Sequence, residues 1–355
     1  MKTRKPPHLS SLIYRGLFCA LAVGMVLLNP AFAEENSPVS LERFEFEQPQ
    51  MGVKFKLLFY AIDEKTANFA ANAAFAQIAA LDQKLSDYNP QSELNRLSRT
   101  AGRGEKVAVS DDLWQVLVAA EQISQQSAGA FDVTVGPAVR LWRRARRSQK
   151  MPSVERLEQA RQAIGYRFIE LDPERQEVEL TQPGMQLDLG AIAKGYAADR
   201  ALQVLKEHGI GRAMVDASGD LALGTPPPGQ PGWRIGIAPL AADAPPSRYY
   251  ELSHCGVATS GDAWQFVELE GKRYSHIVDP HTALGLTERS SVTIIAKNGM
   301  LADSLASAVS VLGLQRGLEL VDSIPDAAAV IVIDDEGKTV THASKRMACF
   351  KAVEN

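Results

Sequence analysis

An aspartate and a serine stand four residues apart in the segment LADSLASAVSVLG, at Asp303 and Ser307. In a helix this spacing puts both side chains on one face. A carboxylate and a hydroxyl together supply the oxygen ligands that Mg²⁺ prefers. The small neighbours Ala302, Ala306 and Ala308 favour a close-packed helix. The alternative is a short polar stripe on an exposed helix, with no ligand.

The segment LDLGAIAKGYAADR, residues 187–200, combines charge with a change of secondary structure. We predict a strand over 186–189 that ends at Gly190, followed at once by a helix from Ala191. The first N–H groups of a helix lack partners within it and attract phosphate. Because Lys194 in this first turn is unfavourable for the helix alone, the segment predicts an anionic ligand. The alternative is a plain strand-to-helix turn with Lys194 in solvent; neither a GxGxxG pattern nor a Walker loop is present.

Two further segments carry groups that could react. In SHIVDPHTALG, His276 ends a predicted strand and Asp279 begins a turn. Histidine is the usual acid or base near neutral pH, and Asp279 could orient it or hold a metal. The alternative is a hydrogen-bonded structural histidine. In VATSGDAW, residues 257–264, small residues offer hydroxyls and amides that could approach a phosphate closely, or that simply form a turn.

The elements that must position these groups follow from the apolar pattern. A helix is predicted around Phe75, Ile78 and Leu81, and two more follow the N-caps Ser110 and Ser153. Helices and strands mix without strict βαβ alternation, which predicts the α+β class rather than a doubly wound sheet. The length allows one large domain or two small ones. The predicted strands cover 54–62, 167–171, 176–189, 212–224, 233–240, 249–261, 266–279, 291–296 and 328–342.

Composition limits the classes of function. The 355 residues are 45% hydrophobic and 23% charged, with a formal net charge of −4, which allows a large core. The basic cluster at residues 140–150 could bind nucleic acid or a membrane, but it lacks interleaved aromatic residues over several turns. We interpret it as a solvated helix face and expect no nucleic-acid partner. Cys255 and Cys349 could form a disulfide. The sequence contains no CxxC or HExxH pattern that would indicate a zinc site.

The N-terminal residues have the pattern of a secretory signal. A basic start is followed by an apolar stretch over 16–28 and by small residues at Ala31 and Ala33. We predict a signal peptide over 1–33, a polar linker over 34–50 and the functional domain over 51–355. We therefore predict export to the periplasm. The alternative is an uncleaved N-terminal anchor, which would keep the protein at the membrane.

Taken together and in this order, the segments resemble the FAD:protein FMN transferase family, also called the ApbE family. The resemblance begins at Met51 and reaches almost to the C-terminus, and it implies a single large ApbE-like domain of mixed sheets with flanking helices. It rests on LSDYNPQSELNRL, GAFDVTVGPAVRLW, LDLGAIAKGYAADR, ASGDLALG, VATSGD, HIVDPHT and ADSLASAVSVLG. The resemblance implies an exported enzyme that uses Mg²⁺, splits the pyrophosphate of FAD, and attaches FMN to a Thr or Ser hydroxyl. The acceptor would be an exported or membrane-associated protein.

The resemblance also implies roles for individual residues. His276 would be the base, with Asp279 beside it as a second catalytic residue. Asp303, Ser307 and the Ala193 carbonyl would hold the metal. Tyr88 would stack on a flavin or adenine ring, and Asp188 would order the turn in front of the pyrophosphate. The cofactor-binding positions are Met51, Tyr88, Asp132, Asp188, Lys194, Thr259, Ser260, Gly261 and His276.

The chain departs from the family pattern at three positions. The family usually has Thr at Ser307, and Gly at both Ala283 and Ser218. Serine keeps the hydroxyl but has more rotamer freedom. A side chain in place of glycine could crowd a close backbone approach.

Two other functions remain open from the sequence. A related hydrolase would split FAD to FMN and AMP without a protein acceptor, and Tyr88, able to hold FAD firmly, favours the transferase. A non-catalytic flavin-binding export protein would need neither a base nor a metal, so His276 and Asp303 count against it.

Overall fold

The computed structural model describes residues 40–241, 244–246, 248–261 and 265–353. The chain from Ser40 onward forms one compact unit, of the predicted α+β class. The predicted signal peptide, residues 1–33, lies outside the described residues. Among the residues described, no helix has both the length and the apolar character needed to cross a bilayer.

The helices and strands are bounded as follows. The helices are α1 (Glu64–Leu85), α2 (Glu93–Ser98), α3 (Asp111–Gln126), α4 (Gly136–Ser148), α5 (Val154–Gln162), α6 (Ala193–Glu207) and α7 (Gly299–Ser323), with 3₁₀ turns at Tyr166–Phe168 and Lys345–Cys349. The strands are β1 (Glu42–Gln50), β2 (Val53–Ala61), β3 (Val107–Ala108), β4 (Ile169–Asp172), β5 (Glu177–Leu180), β6 (Ala213–Ala217), β7 (Leu221–Leu223), β8 (Trp233–Gly236), β9 (Tyr249–Leu252), β10 (Cys255–Gly261), β11 (Phe266–Leu269), β12 (Lys272–Ser275), β13 (Val278–Asp279), β14 (Leu284–Gly285), β15 (Ser290–Ala296), β16 (Ala328–Asp335), β17 (Lys338–Ala343) and β18 (Ala352–Val353).

An eight-stranded antiparallel sheet organises the core, in the order β1-β2-β6-β7-β10-β15-β16-β17. Side chains alternate between its two faces, as the period of a strand requires. Phe55, Leu57 and Phe59 of β2 lie in the core cluster that includes α1, α6 and α7. Residues of the opposite face pack against a three-stranded sheet of β8, β9 and β18, where Trp233 and Tyr250 are buried. The sheet is therefore covered on both faces.

The predicted linker over 34–50 is wrong for its second half. Residues 42–50 form β1, which pairs with β2 from Glu42 opposite Ala61 to Gln50 opposite Val53. Phe46 stacks on Phe59 with ring centroids 5.6 Å apart. In β1, exposed acidic residues alternate with partly buried residues such as Phe44 and Phe46. This alternation indicates an edge strand, although the segment as a whole is polar.

The predicted strand over 186–189 does not form. Leu187 and Leu189 are buried, but the segment makes only one isolated bridge, between Val135 and Gln186. The N–H of Asp188 donates to the Val133 carbonyl at 2.8 Å. The next helix begins at Ala193 instead of Ala191, because residues 190–192 form a turn in which the N–H groups of residues 192 and 193 bond to the Leu189 carbonyl.

Other predicted elements are confirmed. Ser110 and Ser153 cap α3 and α5 through their hydroxyls, and the predicted LADSLASAVSVLG helix is the first part of α7, which Gly313 interrupts at φ +74°. Cys255 and Cys349 are both free thiols. Most of the basic cluster lies in α4, as its interpretation as a helix face predicts.

Candidate functional site

The N-terminal turns of α6 and α7 meet at a backbone contact. A Cβ on Gly195 would lie 2.1 Å from the Gly299 carbonyl oxygen, so only glycine fits there. Asp199 of α6 holds the junction by accepting the N–H of Gly299 at 2.7 Å and of Met300 at 2.9 Å. This carboxylate satisfies two N–H groups at the start of α7 that have no partner within the helix. The close contact brings the first turns of α6 and α7 together.

A buried cluster of charges lies at this junction. Asp303 of α7 is 3% exposed, and its carboxylate accepts the Gly195 N–H at 3.1 Å. The ammonium of Lys194 forms an ion pair with Asp220 and lies 3.9 Å from the other oxygen of Asp303. Lys194 is therefore not simply in solvent, as the plain-turn alternative required. Two carboxylates share one ammonium, which leaves the cluster with an excess of negative charge.

Burial makes this charge costly. Removal from water, together with repulsion from Asp220, raises the pKa of Asp303 above its usual range. Burial likewise raises the pKa of Asp220. Burial alone would lower the pKa of Lys194, but Asp303 and Asp220 raise it, so the ammonium stays charged. A second cation beside Asp303 would relieve the remaining repulsion.

Strand β10 contacts both α7 and the Asp220 carboxylate of this cluster. The hydroxyl oxygens of Ser260 and Ser307 are 3.3 Å apart, which joins β10 to α7. The backbone N–H of Thr259 donates to the Asp220 carboxylate. Gly261 ends the strand, and a Cβ there would lie 3.0 Å from a carbonyl oxygen of β15. The structure thus brings Thr259 and Ser260 together with Ser307, Asp220 and, through Asp220, Lys194.

The donor set fits a hard divalent cation. Asp303 provides a carboxylate, Ser307 a hydroxyl one turn further along α7, and Ala193 a backbone carbonyl at the start of α6. In the residues that the structure describes, no group of three His, Cys, Asp or Glu side chains could hold a metal. Mg²⁺ commonly takes only one or two carboxylates and completes its shell with water and substrate phosphates. The buried, negatively charged cluster offers oxygen ligands. These suit a hard cation such as Mg²⁺ better than they suit a metal that prefers soft ligands.

The turn in front of α6 is joined to Tyr88 by an arginine. Asp188 accepts the Gly190 N–H at 2.9 Å and an Arg143 N–H at 2.9 Å, so its carboxylate orders the turn. Arg143 also forms an ion pair with Asp87, and its guanidinium lies 4.3 Å from the centre of the Tyr88 ring. Tyr88 is 71% exposed. A broad aromatic surface is therefore available beside the turn.

His276 lies in an exposed bend after β12, as predicted. Its Nδ1 lies 3.1 Å from the Gln265 carbonyl, and its backbone N–H donates to the same oxygen at 3.0 Å. When Nδ1 carries the proton that it donates there, Nε2 is the basic nitrogen. The Asp279 carboxylate accepts the His281 N–H at 2.9 Å and the Thr282 hydroxyl at 3.0 Å. Asp279 thereby braces the turn that follows the histidine.

Two predicted cofactor-binding residues have structural contacts of their own. Met51 occupies the turn between β1 and β2 at φ +49° and packs against the main core. The buried Asp132 accepts the N–H and hydroxyl of Thr134 and the N–H of Tyr166. Burial raises the pKa of Asp132. Its carboxylate serves to join two loops.

Sequence reasoning did not identify Asp199, Asp220 or Arg143. Asp220 follows the turn in ASGDLALG, and Asp199 ends the run GAIAKGYAAD. Both lie inside segments that the family resemblance covers. For Asp220 the available signal was an acid beside a small-residue turn, whereas Asp199 lies within α6. Their partners are 26 to 101 residues away in sequence, which no local pattern reveals.

Known proteins resemble this chain over most of its length. The model of the ApbE family matches residues 51–332. A protein of Haemophilus influenzae named FAD:protein FMN transferase is 29% identical over 343 residues, covering 93% of this chain and 96% of that protein. One of the same name from Treponema pallidum is 32% identical over 282 residues, covering 75% and 78%. The solved flavin transferase ApbE from Vibrio cholerae superimposes with a TM-score of 0.79 at 28% identity, covering 88% of this chain and all of that one.

Proposed function

The chain belongs to the ApbE family, and on that premise we propose that it transfers FMN from FAD to a Thr or Ser hydroxyl of an acceptor protein, releasing AMP, with Mg²⁺ as the cofactor. The observation that carries this proposal is the buried cluster of Asp303, Lys194 and Asp220 at the start of α6. Such a cluster suits a reaction that moves a phosphoryl group, because the protein's main task is then to position groups and neutralise charge.

The metal would be held by Asp303, Ser307 and the carbonyl of Ala193. When bound, Mg²⁺ supplies charge neutralisation for the pyrophosphate of FAD. The chain's own contribution begins with Lys194, which brings a fixed positive charge to the first turn of α6. The ion pair with Asp220 holds the lysine in place. The dipole of α6 adds partial positive charge at the same point.

His276 would accept the proton from the acceptor hydroxyl. Its Nδ1 is oriented by the Gln265 carbonyl, so the lone pair for the proton is that of Nε2. The hydroxyl oxygen then forms a bond to the phosphorus of the FMN half. The bond from that phosphorus to the bridging oxygen breaks, and AMP leaves with that oxygen.

The acceptor would be an exported or membrane-associated protein. The support for this part of the proposal is the secretory pattern of residues 1–33. The periplasm is the compartment that the pattern favours. An enzyme placed there would meet its acceptor after both have been exported.

Mass spectrometry of an acceptor protein tests the proposed function. The chain is incubated with FAD, Mg²⁺ and a candidate flavoprotein domain, and free AMP is followed in parallel. Transfer predicts that the acceptor gains the mass of FMN less water, one AMP appearing per modified acceptor. AMP and FMN without a mass gain would instead identify a hydrolase. Tight flavin binding without either product would identify a flavin-storage protein.

A further inference from the structure

A basic groove runs along α4, and the reaction just described does not use most of it. The cavity has a volume of about 580 Å³. Its lining includes Tyr88 and five arginines: Arg99, Arg140, Arg143, Arg144 and Arg147. We call it the arginine groove. It is a local exception in a chain whose net charge is −4.

Most of this positive charge is not neutralised within the groove. Of the described residues that line it, Asp87 alone carries a carboxylate, and it pairs with Arg143. Arg99 donates to the Pro90 carbonyl and Arg140 to the Asn95 side-chain oxygen, which are neutral partners. Among the described residues, no carboxylate lies within 4.0 Å of the guanidinium of these two arginines, or of Arg144 or Arg147.

Helix stability does not account for the pattern. A cation in the last turn of α4 is favourable for the helix dipole, which covers Arg147. Arg140 and Arg144 lie earlier in the helix, and their spacing places them with Arg147 on one exposed face. Like charges four residues apart destabilise a helix slightly. An anionic partner for this face would offset that cost.

The groove is continuous with the proposed reaction site. Arg143, in the groove lining, donates to Asp188 at 2.9 Å, and Asp188 holds the Gly190 N–H at the turn before α6. One ion pair thus separates the groove from the turn assigned to the pyrophosphate. When an acceptor polypeptide places its Thr or Ser hydroxyl at that site, the residues next to it in the polypeptide must lie on the adjoining surface.

We infer that the arginine groove binds an acidic segment of the acceptor protein, next to the residue that is modified. The inference depends on the proposed function only because that function identifies the partner as the acceptor protein. The α4 face from residue 140 to 147 is about 10 Å long, which matches about three residues of extended chain. Carboxylates complement the unpaired guanidinium groups. A concave surface suits a chain segment better than a flat membrane, and a single aromatic residue, Tyr88, gives little base stacking for nucleic acid.

Peptide binding tests the inference without requiring transfer. Three fluorescent peptides of equal length carry Ala at the central position, flanked by Asp and Glu, by Gln and Asn, or by Lys. Fluorescence anisotropy gives their affinities for the purified chain. We expect binding only of the acidic peptide, weakened as salt rises. In the double variant Arg144→Glu/Arg147→Glu the affinity should fall by about tenfold or more, while the affinity for FAD changes less than about twofold.

Two matched variants complete the test. Arg156→Glu/Arg175→Glu makes the same total charge change at two exposed positions outside the groove and should leave peptide binding unchanged. Arg144→Gln/Arg147→Gln, which adds no negative charge, should give a smaller loss than the Glu variant. The inference fails if all three peptides bind alike, or if the double variant weakens FAD and peptide equally, which would assign the groove to FAD. It also fails if phosphatidylglycerol vesicles or single-stranded DNA, and not the acidic peptide, bind through Arg144 and Arg147. Because the peptides cannot accept FMN, a failure of the transferase assay would not affect this result.

Discussion

Ser218 occupies a backbone conformation that suits glycine. It lies at φ +58° in the exposed turn between β6 and β7, and this left-handed region costs a residue with a Cβ about 1–2 kcal/mol. Ala283, the other position where the family usually has glycine, is also left-handed, at φ +58°. The Ala283 methyl is fully buried, so part of its cost is offset by packing. Ser218 is exposed, and its hydroxyl makes only a long hydrogen bond, of 3.4 Å, to the Lys54 carbonyl.

We therefore expect Ser218→Gly to stabilise the protein. The gain in free energy of unfolding should be about 0.5–1 kcal/mol, since the greater freedom of the unfolded chain offsets part of the relieved strain. Urea denaturation measures it. Ser218→Ala removes the same hydroxyl while keeping the Cβ, so it should give no gain. Equal stability of the Gly and Ala variants would show that backbone strain is not the cause.

Substitution of His276 can separate its proposed role as the base from a role in FAD binding. If it is the base, His276→Ala should lower the transfer rate by about 10²–10⁴-fold and leave FAD affinity nearly unchanged. The measurement is single-turnover FMN transfer alongside a fluorescence titration with FAD. His281→Ala, at an exposed histidine five residues away, is the matched control and should retain activity. Normal turnover of the His276 variant would remove it from the mechanism.

At the scale of elements, the junction of α6 and α7 carries a pH-dependent group. Burial raises the pKa of Asp199 from 3.8 to about 6, although the Met300 and Gly299 N–H groups lower it. Because the folded state then binds the proton more tightly than the unfolded chain, this group's stabilising contribution is present below pH 4. It is lost as the pH rises through 6.

Asp199→Asn should remove this dependence. The free energy of unfolding of the wild type, minus that of the variant, should fall by about 2 kcal/mol between pH 4 and pH 7. Chemical denaturation across that range measures it. Asp303 and Asp220 titrate in both proteins, so their contributions largely cancel in the difference, apart from the part of the raised pKa of Asp303 that the Asp199 charge causes. A difference that stays constant with pH would contradict the assigned pKa.

The edge strand β1 allows a further test. The Phe46 ring stacks on Phe59 in the main core, so Phe46→Ala should lower the free energy of unfolding. The loss should be about 1–2 kcal/mol, less than for a fully buried phenylalanine. Glu47→Ala, at the neighbouring exposed position, should change it by less than about 0.5 kcal/mol. Equal effects of the two variants would indicate that β1 does not contribute its inward face to the core.

The same elements show what the sequence could predict. Asp303 and Ser307 were placed on one helix face from local spacing alone, and Ser153 and Ser110 as caps from local chemistry. The roles of Asp199 and Asp220 depend on contacts between distant segments, which spacing does not encode. At 186–189 the apolar alternation predicts a strand, but in the described part of the chain this segment makes only one isolated bridge, between Val135 and Gln186. In β1, acidic residues on the exposed face concealed the alternation.

At the scale of the whole molecule, the fold gathers charge of both signs close to one turn. The chain is acidic overall, at −4, which on its own disfavours approach of an anionic substrate. Lys194, the start of α6 and the arginine groove oppose that tendency locally, and local fields of this kind raise the rate of association. In the proposed function, the buried negative charge of Asp303 and Asp220 would attract the cation. Segments far apart in the sequence thereby contribute to one chemical environment.

A crystal structure of the chain with FAD and Mn²⁺, which can replace Mg²⁺ and be located by anomalous scattering, tests the central claim most directly. The account predicts a cation bound to the Asp303 carboxylate and the Ser307 hydroxyl, with the pyrophosphate at the start of α6 and His276 facing the FMN phosphate. A cation bound elsewhere, or a flavin remote from both Asp303 and His276, would contradict it.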